Sequence, residues 1–412
     1  MPAELTFRPI DVSDATAFQR CAAIAFHDVE DSPQVERFRH FAEWDRTLAA
    51  FDGDELVGSS AAYSHRLSVP GGELPSAGIT WIAVLPTHRR RGILTRMLDG
   101  QLAAGRARGE PLAALWASEG AIYGRFGFGP AAFRARFTVP TRAGAPPREP
   151  HVSARPLRIR FHELRGARPL LAPLFERVRA QRPGMTTRTD AWWDRRVLSD
   201  LASERHGATD KRLVVARGDD GAAEGYAIYR ERGAEPETTV ELLELIAPAD
   251  DAAAALWRCL CSIDLVATLE APNRPPDDPL PFLFADPRRA RVSELSDSLW
   301  VRLLDVRGAL EGRAWAADAR LTLAVRDDRI AENAGSWSVE IAGGAARVEP
   351  AAPRAQPDLT ADVRWLGAAY LGGTPLTRLV AAGLVEQHTR GAAERLDAAL
   401  RVARAPWAPE VF

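Results

Sequence analysis

Lysine is almost missing from this chain. Lys211 is the one lysine in 412 residues, so nearly all of the 53 basic side chains are arginine; with the many alanines, this reads as a genome-wide compositional bias rather than as function. Cysteine is scarce as well. Cys21, Cys259 and Cys261 form an odd set without a C-x-x-C pair, which argues against a disulfide framework and a structural zinc site and fits a reduced, cytoplasmic compartment. Charge of one sign is lacking too. A formal net charge of −2 offers no concentrated basic face, so nucleic acid drops out as a default partner. There is no uncharged apolar run of about 18 residues, and "MPAELTFRPIDVSD" lacks a basic stretch leading into an apolar one. Neither a membrane span nor export is expected. The "DGD" at 52–54 has neither the spacing nor the closing glutamate of a calcium loop and reads as a hairpin turn; no metal site is expected.

What is present is ordinary for a folded, soluble protein: 46% hydrophobic and 26% charged residues, with length for two or three domains. The first region, 1–150, alternates strand ("LTFRPI"), helix ("DATAFQRCAAIAFH") and a run of strands, and closes in the Pro/Gly-rich "PTRAGAPPREP". The second, 151–300, mixes strands ("RLVVAR", "GYAIYRER", "TVELLELIAP") with the helix "AAAALWRCLCSI". The third, 301–412, places strands ("RLTLAVRD", "GSWSVEIA") before helices ("DVRWLGAAYLGG", "LTRLVAAGLV", "AAERLDAALRVA"). The fold class is α/β, of the α+β kind.

The most informative stretch is "ITWIAVLPTHRRRGILTRMLDGQLAAGRARG". An apolar strand, Ile79 to Leu85, turns at Pro86 into Arg89, Arg90, Arg91 and Gly92, and a helix begins near Ile93. Exposed backbone N–H groups at a helix N-terminus, beside guanidinium groups, make a pyrophosphate site, and Gly92 lets the backbone approach it. A second apolar strand, Leu112 to Ala117, gives way at Ser118 to a short helix bearing Tyr123, which stops at Gly127-Phe128. The chain's last residues, "APWAPEVF", carry Trp407, Val411 and Phe412 between prolines; apolar bulk there predicts a docked tail.

Arg89-x-x-Gly92 and Tyr123-x-x-x-Gly127-Phe128 resemble the signature of the GCN5-related N-acetyltransferases (GNAT), with Leu94 departing from their usual Gly or Ala. "VLPTHRRRGIL" and "LWASEGAIYGRFGFGPA" are similar to the Eis (enhanced intracellular survival) branch. That resemblance implies two tandem GNAT-like domains, the second degenerate and without a cofactor loop, then a sterol-carrier-like domain.

The resemblance also implies acetyl-CoA as co-substrate. Ile82, Ala83 and Val84 would run beside its pantetheine arm, and Arg90, Arg91, Gly92, Ile93, Leu94 and Thr95 would hold the pyrophosphate. Ser118 and Glu119 would flank the thioester, with Tyr123 as general acid and the terminal carboxylate of Phe412 as general base. A carboxylate near about 3.5 taking a proton from an ammonium near about 10.4 is uphill by roughly 9 kcal/mol unless burial, a water relay or binding of the neutral amine intervenes. The implied acceptors are small-molecule amines of aminoglycoside type or lysine side chains, the implied assembly a homohexamer. An acidic pocket from His27, Asp28, Glu30, Asp31 and Glu410 would draw cationic amines, or these groups are solvated loop charges. The competing class is a non-catalytic acyl-CoA sensor or lipid-binding module.

Overall fold

The computed structural model describes residues 5–27, 39–142, 147–148 and 157–412. They form three sheets in two compact units, one built from residues up to Ala132 with Ser298–Pro406 and Glu410–Phe412, the other from Phe133–Asp297 with Trp407–Pro409.

The first unit begins with β1 (Thr6–Arg8), α1 (Ala15–Phe26), β2 (Thr47–Asp52), β3 (Glu55–Val69) and β4 (Gly72–Val84). Left-handed glycines make both hairpin turns, Gly53 between β2 and β3 and Gly71 between β3 and β4. Then come α2 (Ile93–Ala107), β5 (Leu112–Trp116), α3 (Gly120–Tyr123) and β6 (Gly129–Pro130). The chain next supplies the second unit: β7 (Phe133–Pro140), β8 (Arg158–His162), α4 (Arg168–Arg179), β9 (Arg212–Arg217), β10 (Ala223–Arg232), β11 (Thr239–Ile246), α5 (Asp250–Cys261), β12 (Thr268–Arg274) and β13 (Arg291–Asp297). It returns with β14 (Leu299–Leu303), which inserts between β5 and β6 and completes the order β1-β2-β3-β4-β5-β14-β6. The second sheet runs β13-β7-β12-β11-β10-β9-β8.

The sheet therefore changes at Ala132, before the Pro/Gly-rich stretch at 140–150 where composition places the boundary. β7 pairs with β12 and β13 rather than with any strand of the first unit. Turn-forming residues mark where a loop lies and carry no information about which sheet the preceding strand joins.

The third sheet consists of β15 (Ala319–Arg326), β16 (Gly335–Ala342), β17 (Ala345–Pro350), β18 (Leu359–Asp362) and β19 (Val385–Gln387), ordered β17-β16-β15-β18-β19. Helices α6 (Val306–Glu311), α7 (Val363–Tyr370), α8 (Leu376–Ala381) and α9 (Ala392–Leu400) accompany it. It belongs to the same compact unit as β1–β6. The ion pair Arg302–Asp327 is fully buried there, with both carboxylate oxygens at 2.7 and 2.8 Å from Nη2.

Candidate active site

The site grows from one strand pair that parts. β4 and β5 are parallel partners over Ser76–Gly78 and Leu112–Ala114 only. Beyond Gly78 a bulge bends β4: its register against β3 slips between Ser59 and Ala61, and Trp81 takes φ 54°. Ser59 Oγ holds the bulge by donating to the Trp81 carbonyl at 2.9 Å. The edge of β4 at Ile82, Ala83 and Val84 is thereby turned onto a cleft of about 460 Å³.

That cleft is also lined by Ala25 and Phe26 at the end of α1, by His88, Arg89, Arg90, Gly92, Ile93, Leu94 and Thr95, and by Ser118, Glu119, Ile122, Tyr123 and Arg125. Arg90 (φ 63°) and Gly92 (φ 79°) are both left-handed. For arginine this costs on the order of 1–3 kcal/mol, strain of the kind found where a backbone is shaped around a ligand. Gly92 caps α2 with no side-chain bond to its first turn, so the N–H groups of Ile93, Leu94 and Thr95 keep their positive end of the helix for an anion. Arg91 behaves differently from its neighbours: Nη1 donates to Asp52 at 3.0 Å, His88 Nε2 stands 3.2 Å from the same carboxylate, and Arg91 is absent from the cleft lining. Leu94 packs inward beside Ile82 and Ile122 against the cluster that holds Tyr123.

Tyr123 ends α3. A 3-10 turn, Gly124–Phe126, follows, and Gly127 (φ 82°) reverses the chain. Glycine is required at 127 twice over, because a Cβ there would also lie 2.7 Å from Arg302 Nε. The Tyr123 ring is 6% exposed and meets Phe128 edge-on at 6.4 Å. Burial pushes its phenol above the ordinary value of 10.0; a hydrogen bond with Ser118 opposes this and the Glu119 charge adds to it. The phenol is thereby held protonated.

The tail docks at both of its anchors. Trp407 is buried in the second unit's core, donates its backbone N–H to the Pro183 carbonyl at 2.9 Å, and donates its Nε1–H to Asn273 Oδ1 at 3.0 Å. In the first unit the Phe412 ring stands edge-on to His65 at 4.9 Å. His65 leans over Gly78, where a Cβ would be 2.2 Å from its ring, and burial, with the charge of Arg46, pushes its pKa down to about 4. Glu410 is buried, His27 is an exposed C-cap of α1, and Asp28, Glu30 and Asp31 lie outside the described residues.

Pattern reading missed Ala25, Phe26, His88, Ile122 and Arg125 as lining, and did not single out His65. Ala25, Phe26, His88 and Ile122 flank motifs, and Arg125 fills an unspecified position inside one. His65 has no local signal, since Gly78 and Phe412 reach it from elsewhere in the chain.

Residues 6–131 match an acetyltransferase (GNAT) domain, 184–307 a second acetyltransferase (GNAT) domain, and 306–409 a sterol carrier protein domain. An uncharacterized N-acetyltransferase of Streptomyces griseus is 36% identical over 99% of this chain and 100% of its own length. The N-acetyltransferase Eis of Mycobacterium tuberculosis is 34% identical over 92% of both chains. The crystal structure of Eis1 from Mycobacterium abscessus superposes with a TM-score of 0.86 at 32% identity, covering 99% of this chain and 100% of that one. Two GNAT domains, a sterol-carrier domain and full-length similarity to Eis make this chain a member of the Eis family of GNAT enzymes, acetyl-CoA-dependent N-acetyltransferases.

Proposed function

We propose that the chain acetylates amines of small polycationic acceptors of aminoglycoside type, and that it does so in the cleft of the first GNAT domain. The observation that carries this is the convergence on one cavity of an uncapped helix N-terminus with two arginines, a strand edge without a partner, and the Tyr123 phenol. These features fit acetyl-CoA: N–H groups and guanidinium groups for its pyrophosphate, and a β edge for the amides of its arm. Bound acetyl-CoA supplies an acyl group activated as a thioester.

The chain's own residues do the rest. Arg90 and the first turn of α2 grip the anionic end, and the Ile82–Val84 edge aligns the arm. Tyr123 Oη gives its proton to the departing sulfur; a phenol held above 10.0 is a weaker acid than a thiol at about 8.5, so the transfer alone is uphill by about 2 kcal/mol or more, is carried by cleavage of the C–S bond, and leaves a phenolate that regains its proton from water. The Phe412 carboxylate takes the proton of the incoming amine; the ring of Phe412 meets His65, and Phe412 itself is not among the residues that line the cleft.

The second GNAT domain offers no such grip. Its α5 occupies the place of α2, between β11 and its parallel partner β12, but opens with Asp250 and Asp251 where α2 opens with Ile93 and Leu94, and Ala249 stands at the cap position of Gly92. Two carboxylates repel a pyrophosphate, so this domain serves as scaffold.

Thiol release from acetyl-CoA, followed in the presence of kanamycin, spermine or a lysine-containing peptide, tests the acceptor class. Release with kanamycin and none with the peptide is expected; release with the peptide alone makes the enzyme a protein lysine acetyltransferase. A tag fused after Phe412 should abolish turnover and leave acetyl-CoA binding intact, whereas the same tag at Met1 should be harmless. Full activity of the C-terminally tagged protein removes the base role of Phe412.

A further inference from the structure

The two walls of the cleft are tied together behind the reacting groups by a residue of the sterol-carrier domain. Arg329 lies in the loop between β15 and β16. Its Nη1 donates to both carboxylate oxygens of Asp99 on α2, at 2.7 and 2.9 Å. Its Nε donates to the carbonyl of Arg125 at 3.2 Å, two residues after Tyr123, and its guanidinium stacks 4.4 Å from the Phe126 ring centroid. One side chain thus holds the helix that grips the anionic end and the turn that carries the phenol.

Its own loop is fixed. Asp327 accepts from Arg302, from the N–H of Arg329 at 3.1 Å, from the N–H of Ile330 at 3.1 Å and from Asn333 Nδ2 at 3.0 Å. Ile330, next in sequence, is buried in the same apolar cluster as Tyr123 and Phe128. The clamp is therefore set by a rigid, buried network rather than by a flexible surface arm.

We propose that Arg329 is a positioning residue for acetyl transfer, setting the distance between the α2 phosphate grip and the Tyr123 hydroxyl. This rests on Tyr123 being the proton donor. As an ion pair Arg329–Asp99 is half-exposed and adds little stability, since such pairs are worth about 0–1 kcal/mol. Its effect is on geometry, where a displacement of about 1 Å costs up to a hundredfold in rate.

The test is a double-mutant cycle on kcat for thiol release with saturating kanamycin: wild type, Arg329→Ala, Tyr123→Phe and the double variant, with Asp99→Asn as a second way of breaking the link. Arg329→Ala and Asp99→Asn should each lower kcat roughly tenfold in the wild-type background and by less than about twofold in the Tyr123→Phe background. Arg329→Lys, which keeps a charge for Asp99 and loses the planar fork, should recover part of the rate. Equal losses in both backgrounds, or unchanged kcat in the single variants, overturns the clamp while leaving Tyr123 as the acid. A Tyr123→Phe enzyme at wild-type rate, or a wild type that releases no thiol, overturns the reading beneath it and the clamp with it.

Discussion

At the scale of single residues, the adjacent arginines of the loop before α2 have different surroundings that their adjacency in sequence conceals. Arg90 lines the cleft in a left-handed conformation, whereas Arg91 is engaged by Asp52 at the loop's outer side. Arg90→Ala should raise the KM for acetyl-CoA roughly tenfold or more, because a charge-assisted bond to phosphate is lost, with little change in kcat. Arg91→Ala should raise it distinctly less; the reverse ranking in steady-state kinetics would show that Arg91 is the phosphate ligand. His65 makes a different kind of prediction. Its folded pKa of about 4 lies below the ordinary 6.5, so between those values the unfolded chain binds a proton that the folded one refuses. The stability held by its neutral form is complete above pH 6.5 and is lost as pH falls toward 4, by at most about 3 kcal/mol. His65→Leu should flatten that loss in urea unfolding run at pH 7 and pH 4.5; a loss as steep as in the wild type would place the acid sensitivity elsewhere.

At the scale of elements, the turn after α3 depends on parts of the chain far from it. Gly127 admits Arg302, which is fully buried against Asp327, and a Cβ at Gly124 would meet the Arg364 guanidinium at 2.5 Å. Arg302→Met leaves the Asp327 carboxylate buried without its countercharge and should destabilise the first unit by about 3–5 kcal/mol, read as a lower midpoint in denaturant. A midpoint within error of the wild type would mean that water or Asn333 satisfies Asp327 unaided.

This dependence also separates what sequence reveals from what it hides. The strand, the Arg-x-x-Gly loop, α2 and the Tyr123 turn are contiguous, so their arrangement is written in spacing and could be read directly. So could the α1 helix and the hairpins, where periodicity and turn residues coincide. β14 as the partner of β5, Arg302 at Gly127 and Arg329 at Asp99 join residues up to 230 positions apart, and no local pattern announces such pairings. The boundary near 150 escaped for the same reason: β7 looks like any other strand until its partners are known.

At the scale of the whole molecule, we propose a single reaction centre, in the first GNAT domain. The first GNAT domain forms the cleft, Arg329 of the sterol-carrier domain bonds to the turn after Tyr123, and the helix of the second GNAT domain that matches α2 opens with two aspartates. On that proposal, turnover hangs on the Tyr123 phenol. Tyr123→Phe keeps the ring, its burial and its contact with Phe128, and removes one proton donor. Paired calorimetric titration with acetyl-CoA and thiol-release kinetics on this variant should show one binding site per chain at wild-type affinity and a kcat lower by roughly a hundredfold or more. Wild-type turnover in the variant, or a second acetyl-CoA site that sustains the rate, would contradict the account.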